Sequence, residues 1–254
     1  MATAPPTSVL SLLKTLGARR LRALFTRDAT LAAQWVRAIA ADGMPQAQVC
    51  FGRMLLEGTG VTRDAVAALV WFRLAAAQGD IDAVNMVGRC LDNGWGTAED
   101  PAAAVAQYTC AASAGHAWAQ YNLGHLYLDG RGVPRDFARA YEYYRSAADQ
   151  GHERAMNLVG RCAEEGWGTI RDIKVAADWY RRSAEAGYFR GQFNWATMLL
   201  KAGRSNDAVM WLERAAASGT FGVRQAVTRL LNELAARVGE IRQFRRLSDP
   251  WEAT

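Results

Sequence analysis

The stretch "NMVGRCLDNGWGT", Asn85–Thr97, occurs a second time as "NLVGRCAEEGWGT", Asn157–Thr169. Nine of the thirteen positions are identical, and the two copies start 72 residues apart. A stretch that recurs at a fixed distance indicates an array of similar structural repeats.

Half of that distance is the period of most of the chain. Two series of glycines and one of aspartates each recur every 36 residues. They are Gly52, Gly88, Gly124 and Gly160; Gly43, Gly79, Gly115, Gly151 and Gly187; and Asp64, Asp100, Asp136 and Asp172. Five full repeats therefore follow a half repeat, and the copied stretch is one segment of alternate repeats.

Each repeat predicts two helices. The first ends in a Gly-x-Gly turn, where glycine tolerates a left-handed backbone, and the aspartate that follows is favoured as an N-terminal cap of the second. The second helix carries aromatic and then small residues. One helix pair cannot bury its apolar face alone, so the repeats must stack. We expect first helices at about Pro45–Glu57, Asp82–Asn93, Trp118–Asp129, Glu153–Glu165 and Gly191–Lys201.

The segment "AQYNLGHLYLDGRGVPRDFARAYEYYRSAADQGH", Ala119–His152, resembles the Sel-one-like repeat (SLR) family, a relative of the TPR proteins. The resemblance covers about residues 31–219. It implies an all-α fold, a right-handed α/α superhelical solenoid of about five repeats. It also implies a non-catalytic scaffold, adaptor or accessory subunit that binds another protein on its concave face.

The repeats divide the chain into three parts. We expect residues 1–30 to form an N-terminal tail and a basic amphipathic capping helix, which could instead bind an acidic membrane surface or a partner. Residues 31–219 form the solenoid, with a half repeat at 31–43 and full repeats ending near 79, 115, 151, 187 and 219. Residues 220–254 form a C-terminal capping helix and tail.

Composition excludes several classes of protein. The net charge of +5 comes from scattered basic residues, whereas a nucleic-acid binder would need a basic stripe. No run reaches the roughly 18 apolar residues that cross a bilayer. Charges interrupt the N-terminal apolar run, unlike a secretory signal, so we expect a cytoplasmic protein.

Three positions of each first helix share one face, at −3, +1 and +4 from the helix glycine. By the resemblance, that face lines the concave groove. The copies place asparagine, arginine and an acid there, and an arginine beside an amide suits a carboxylate. We therefore predict that an acidic or carboxylate-bearing protein segment binds Arg53, Asn85, Arg89, Asp92, Trp95, Tyr121, His125, Asn157, Arg161, Glu164 and Trp167.

Each copy also has a less specific interpretation. Arg89 could pair with Asp92, and Arg161 with Glu164, as weak surface ion pairs three residues apart. The tryptophan between two glycines could be an exposed contact residue, or it could pack on the turn of a neighbouring repeat.

No catalytic motif, cofactor fingerprint or metal-ligand spacing occurs in the sequence, so we expect no enzymatic activity and no cofactor. Two alternatives stay open. One is a redox or metal-handling protein that uses Cys50, Cys90 and Cys162, although the last two fall at apolar helix positions. The other is an accessory partner of an iron-uptake-linked oxygenase, suggested by the paired "VGRC…GWG" repeats.

Overall fold

The computed structural model describes residues 28–248, with side chains to residue 236. Within that range the chain forms twelve α-helices and no strand, so the predicted all-α repeat fold is confirmed. The helices are α1 Ala29–Ala41, α2 Pro45–Glu57, α3 Ala65–Ala77, α4 Ile81–Asn93, α5 Pro101–Ser113, α6 Ala117–Asp129, α7 Phe137–Asp149, α8 Glu153–Glu165, α9 Ile173–Glu185, α10 Phe189–Lys201, α11 Ser205–Ser218 and α12 Phe221–Ser248. The even-numbered helices α2 to α10 are the first helices of the repeats, and their ends agree with prediction to within about two residues.

Local sequence starts and stops these helices as expected. The repeated aspartates cap second helices; Asp100, for example, accepts a hydrogen bond from the Ala103 N–H at 2.9 Å, and Asp64 one from Ala67 at 2.9 Å. The first glycine of each Gly-x-Gly turn ends a first helix in the left-handed region, with φ of 67° at Gly94 and 77° at Gly166.

The second glycine of the turn has a different role. Gly96 has φ of 73°, and a Cβ added there would collide with the Ala65 carbonyl at the start of α3. A Cβ added at Gly60 would likewise collide with the carbonyl of Ala29 at the start of α1. The turn of one repeat therefore packs on the start of the second helix in the preceding repeat, and only a residue without a side chain fits.

Two histidines cap first helices, which the sequence analysis did not predict. His116 Nδ1 accepts a hydrogen bond from the Ala119 N–H at 3.1 Å at the start of α6. His152 does the same for the Ala155 N–H at 3.2 Å at the start of α8. The His116 Nε2 also lies 2.7 Å from Asp82 Oδ1 on α4, and this contact links neighbouring repeats.

The helix glycines Gly52, Gly88 and Gly160 each face a large aromatic side chain on the second helix of their own repeat. An added Cβ would lie 2.8 Å from two Tyr108 ring carbons at Gly88, and 2.8 Å from two Tyr180 ring carbons at Gly160. Both tyrosines are buried. The glycines thus let the two helices of a repeat approach closely with a ring between them.

The chain divides into two compact units between Ala140 and Tyr141, within α7. In the N-terminal unit, a buried cluster joins α1 to α4. In the C-terminal unit, another joins α10 and α11 to Val227 of α12, with Leu230, Leu231 and Leu234 packed on it. The proposed N-terminal capping helix lies outside the described residues. No helix in the described part is long and apolar enough to cross a membrane.

Candidate partner-binding site

The two copies of the repeated stretch build the same stack of an arginine on a tryptophan. Arg89 of α4 lies with its Cζ 5.0 Å from the ring centroid of Trp95, in the turn after that helix. Arg161 of α8 lies 4.8 Å from the centroid of Trp167. A guanidinium over an indole face is a cation–π contact, which fixes the direction of the long arginine side chain.

Both tryptophans are half-buried. The sequence offered either an exposed contact residue or a residue packed on a neighbouring turn, and half-burial fits neither of these alone. Trp95 packs against the buried cluster of the N-terminal unit on one side and under Arg89 on the other. The indole therefore serves as a platform for the arginine.

The acids of the two copies form ion pairs with the following repeat. Asp92 Oδ1 lies 3.1 Å from Arg131 Nη2, and Glu164 Oε1 lies 3.3 Å from Lys201 Nζ. The alternative of ion pairs within each copy is therefore wrong. Among residues 28–236, neither Arg89 nor Arg161 makes an ion pair.

A tyrosine from the second helix completes each acid's surroundings. The Tyr180 hydroxyl donates to Glu164 Oε2 at 2.8 Å, and Tyr108 lies close enough to Asp92 for the two groups to influence each other's pKa. Burial raises the pKa of the Asp92 carboxyl, although the Arg131 guanidinium and the nearby Tyr108 hydroxyl oppose the shift. Burial also raises the pKa of Tyr180, and the bond to Glu164 adds to the shift. These are the tyrosines that face the helix glycines, so the close helix approach also brings a hydroxyl to the acid.

The asparagines of the two copies are buried and bonded to the next repeat. Asn85 Oδ1 accepts from Asn122 Nδ2 at 3.1 Å, and Asn157 Oδ1 accepts from Asn194 Nδ2 at 2.8 Å. The sequence analysis missed these partners. The signal was present, because asparagine stands two residues before the Gly124 and Ala196 positions, in the two repeats that follow a copy.

The remaining predicted site residues are Arg53, Tyr121 and His125. On α6, Tyr121 and His125 are half-buried, and their rings meet edge to face at a centroid distance of 4.7 Å. Trp118 stands 5.9 Å from Tyr121, so this first helix carries a group of rings. Arg53 is exposed on α2.

The cysteines give little support to redox or metal chemistry. All four are free thiols. Cys90 and Cys162 are buried, and burial raises the pKa of their thiols to about 11 and about 12, which keeps them protonated and unreactive. Cys50 and Cys110 are exposed. Within the described residues, no group of three or more His, Cys, Asp or Glu side chains is placed to hold a metal ion.

Comparisons with known proteins agree with the repeat pattern. The Sel1 repeat family model matches residues 46–80, 81–116, 119–152, 153–188 and 191–220. A Sel1 repeat protein from Oxalobacter formigenes is 25% identical with a TM-score of 0.71, over 83% of this chain and 97% of its own. A comparison with curated protein sequences finds no match.

Two further solved structures are similar. A protective antigen of uropathogenic Escherichia coli with an SLR fold is 28% identical with a TM-score of 0.67, over 87% of this chain. This chain spans about half of that antigen's length, 47%. An immunity protein from Pseudomonas aeruginosa is 17% identical with a TM-score of 0.52, over 92% of this chain and 84% of its own, and it shares the fold alone.

Proposed function

Since the chain belongs to the Sel1 repeat family, we propose that it is a non-catalytic adaptor or accessory subunit that binds an acidic or carboxylate-bearing protein segment. Proteins of this family are generally protein-interaction scaffolds. The proposed binding face is that of the first helices, where the repeated stretch presents its arginines.

One observation supports this proposal above the others. Arg89 and Arg161 each rest on an indole and have no ion pair among residues 28–236. Arg161 is exposed and Arg89 is half-buried, with its Nη1 also 3.6 Å from Met86 Sδ. Stacking covers a face of the guanidinium and leaves N–H donors at its edge, and those donors match the two oxygens of a carboxylate.

The acids of the copies have a different role in this proposal. Asp92 and Glu164 are already engaged by Arg131 and Lys201. They hold neighbouring repeats together, whereas Arg89 and Arg161 keep their charge for a partner. The recognition element in each copy is then the arginine on its tryptophan, and the buried asparagine bonds the first helix of the copy to that of the next repeat.

The proposal can be tested before the natural partner is identified. Random peptides displayed in a library are selected on the immobilised protein, and the dissociation constant of the best peptide is measured for the wild type and for Arg89→Ala and Arg161→Ala. Losing a well-desolvated hydrogen bond to a charged group typically costs about 1.5–3 kcal/mol, so we expect roughly 10- to 150-fold weaker binding to the affected arginine.

Arg181→Ala provides the matched control. Arg181 is an exposed arginine on the second helix α9 that already pairs with Asp178 at 2.6 Å and Glu185 at 3.0 Å. Its loss changes the net charge by the same amount, so affinity should hardly change. Selected peptides without enrichment in Asp and Glu, or equal weakening by all three variants, would refute the proposal.

Two alternatives gain no support. The oxygenase partner finds none in the family match or in the similar solved structures. A redox role would have to rely on Cys50, since Cys90 and Cys162 are buried.

A further inference from the structure

The contacts around the copied stretch repeat every 72 residues, which is two structural repeats. Asn85 bonds Asn122, and Asn157 bonds Asn194. Both pairs join the first helix of one repeat to the first helix of the next, and the two partners are 37 positions apart in the sequence.

The charged contacts follow the same period. Asp92 pairs with Arg131 across 39 residues, and Glu164 pairs with Lys201 across 37. The basic partners stand on different elements, since Arg131 lies in the turn after α6 and Lys201 is the last residue of α10. The two sites thus reach the same charge pairing from different local sequences.

The first helices α2 and α6 do not carry this arrangement. The face of α6 presents Tyr121 and His125, and that of α2 presents Val49, Arg53 and Leu56. The asparagine, the stacked arginine and the paired acid therefore belong to a module of two repeats, and this module occurs twice.

The two modules lie in different compact units. The residues of the first, Asn85 to Arg131, all lie in the N-terminal compact unit, and those of the second, Asn157 to Lys201, all lie in the C-terminal unit. Each module has its own arginine on a tryptophan, its own asparagine pair and its own ion pair.

From this we infer that the chain is bivalent: residues 85–131 and 157–201 form two separate sites, and each binds one carboxylate-bearing segment through its arginine on tryptophan. The inference rests on the proposed function and adds the number and independence of the sites. A natural partner would then carry two acidic segments, or two partner molecules would bind one chain.

The test is a titration followed by NMR of the tryptophan indole N–H groups. The probe is hexaglutamate with both ends capped, and capped hexaglutamine is the uncharged control. The Trp95 and Trp167 signals are assigned from their Phe variants. Trp211 is the matched reference. It also carries an arginine, with Arg214 4.8 Å from its ring centroid, but both residues lie on the second helix α11 and outside both modules.

We expect both Trp95 and Trp167 signals to shift with hexaglutamate, while that of Trp211 stays in place. Arg89→Ala should abolish the Trp95 shift and leave the dissociation constant read at Trp167 unchanged to within about twofold, as for independent sites. Arg161→Ala should do the reverse. In each variant the unaffected site's response also shows that the protein is folded.

Four outcomes would overturn some part of this reasoning. A response at one indole alone, or loss of both responses in a single variant, would overturn bivalency and leave acid recognition standing. Equal shifts with hexaglutamine would refute acid recognition. If the Trp95 and Trp167 signals then still gave separate titration curves, the two sites would stand without it. No shift at either indole would refute the proposed function and the two sites together.

Discussion

Replacing Gly160 by alanine tests whether the repeated glycine exists to make room for a ring. A Cβ at this position would lie 2.8 Å from two ring carbons of Tyr180 and 3.2 Å from the Ala176 carbonyl oxygen. Carbon atoms prefer a separation of about 3.5–4.0 Å, so the ring would have to move by more than half an ångström. Tyr180 cannot move freely, since it is 2% exposed and its hydroxyl is bonded to Glu164 at 2.8 Å.

The expected loss follows from two opposing effects. Overpacking of a well-filled core typically costs about 1–3 kcal/mol. Alanine in place of glycine within a helix contributes about 0.5–1 kcal/mol in the other direction. The free energy of unfolding should therefore fall by about 0.5–2 kcal/mol, as measured by urea denaturation followed by circular dichroism.

The chain itself suggests a compensating change. In the last full repeat, Ala196 stands where the other first helices have glycine, and it shares a buried cluster with Leu212 of α11. Tyr180→Leu should therefore relieve the strain, and Gly160→Ala should cost close to nothing in that background. A coupling of about 1–2 kcal/mol is expected from the double-mutant cycle.

Gly222 of α12 provides the control, because an added Cβ there meets no atom within 4 Å. Gly222→Ala should be neutral or slightly stabilising. If Gly160→Ala costs the same with Tyr180 as with leucine at that position, the ring contact is not the reason for the glycine and the packing argument fails.

Two other predictions follow from burial. Alkylation of the native protein with iodoacetamide should modify the exposed Cys50 and Cys110 and spare Cys90 and Cys162, whose thiols are buried and protonated; mass spectrometry that found all four labelled at similar rates would contradict this. The pKa of Asp92 is raised in the folded state, so the carboxyl ionises less readily there than in the unfolded chain. The free energy of unfolding should therefore fall as the pH rises from the ordinary pKa of 3.8 through the raised one. Compared with Asp92→Asn, the wild type should lose unfolding free energy from acid to neutral pH, and urea titrations that gave a gain would refute the assignment.

The sequence predicted the repeats and their helix boundaries closely because the signals for them are local. An aspartate cap such as Asp100 bonds a backbone N–H three residues away, and a glycine such as Gly94 ends a helix through its own φ. The burial of Cys90 could be anticipated in the same way, from its place in an apolar column of the first helices.

The candidate site could be predicted only in part. The sequence singled out Arg89 and Trp95, which do meet, but it offered Asp92 as the arginine's alternative partner. On a helix, a residue three positions away and a residue of the next repeat can both come within reach of the same side chain. Spacing along the chain cannot decide between them.

The sequence by itself determined the 36-residue period, the helix ends and the doubling of the asparagine–arginine–acid set, since each depends on short-range backbone chemistry or on the pattern alone. Only the tertiary structure decided which long side chains meet. Gly88 lets α4 and α5 approach around the Tyr108 ring, which brings Tyr108 near Asp92, and Arg131 of the next repeat forms the ion pair with that acid. Arg89 is left on the indole of Trp95 without a carboxylate of its own in the described chain, and that contact depends on how the repeats pack.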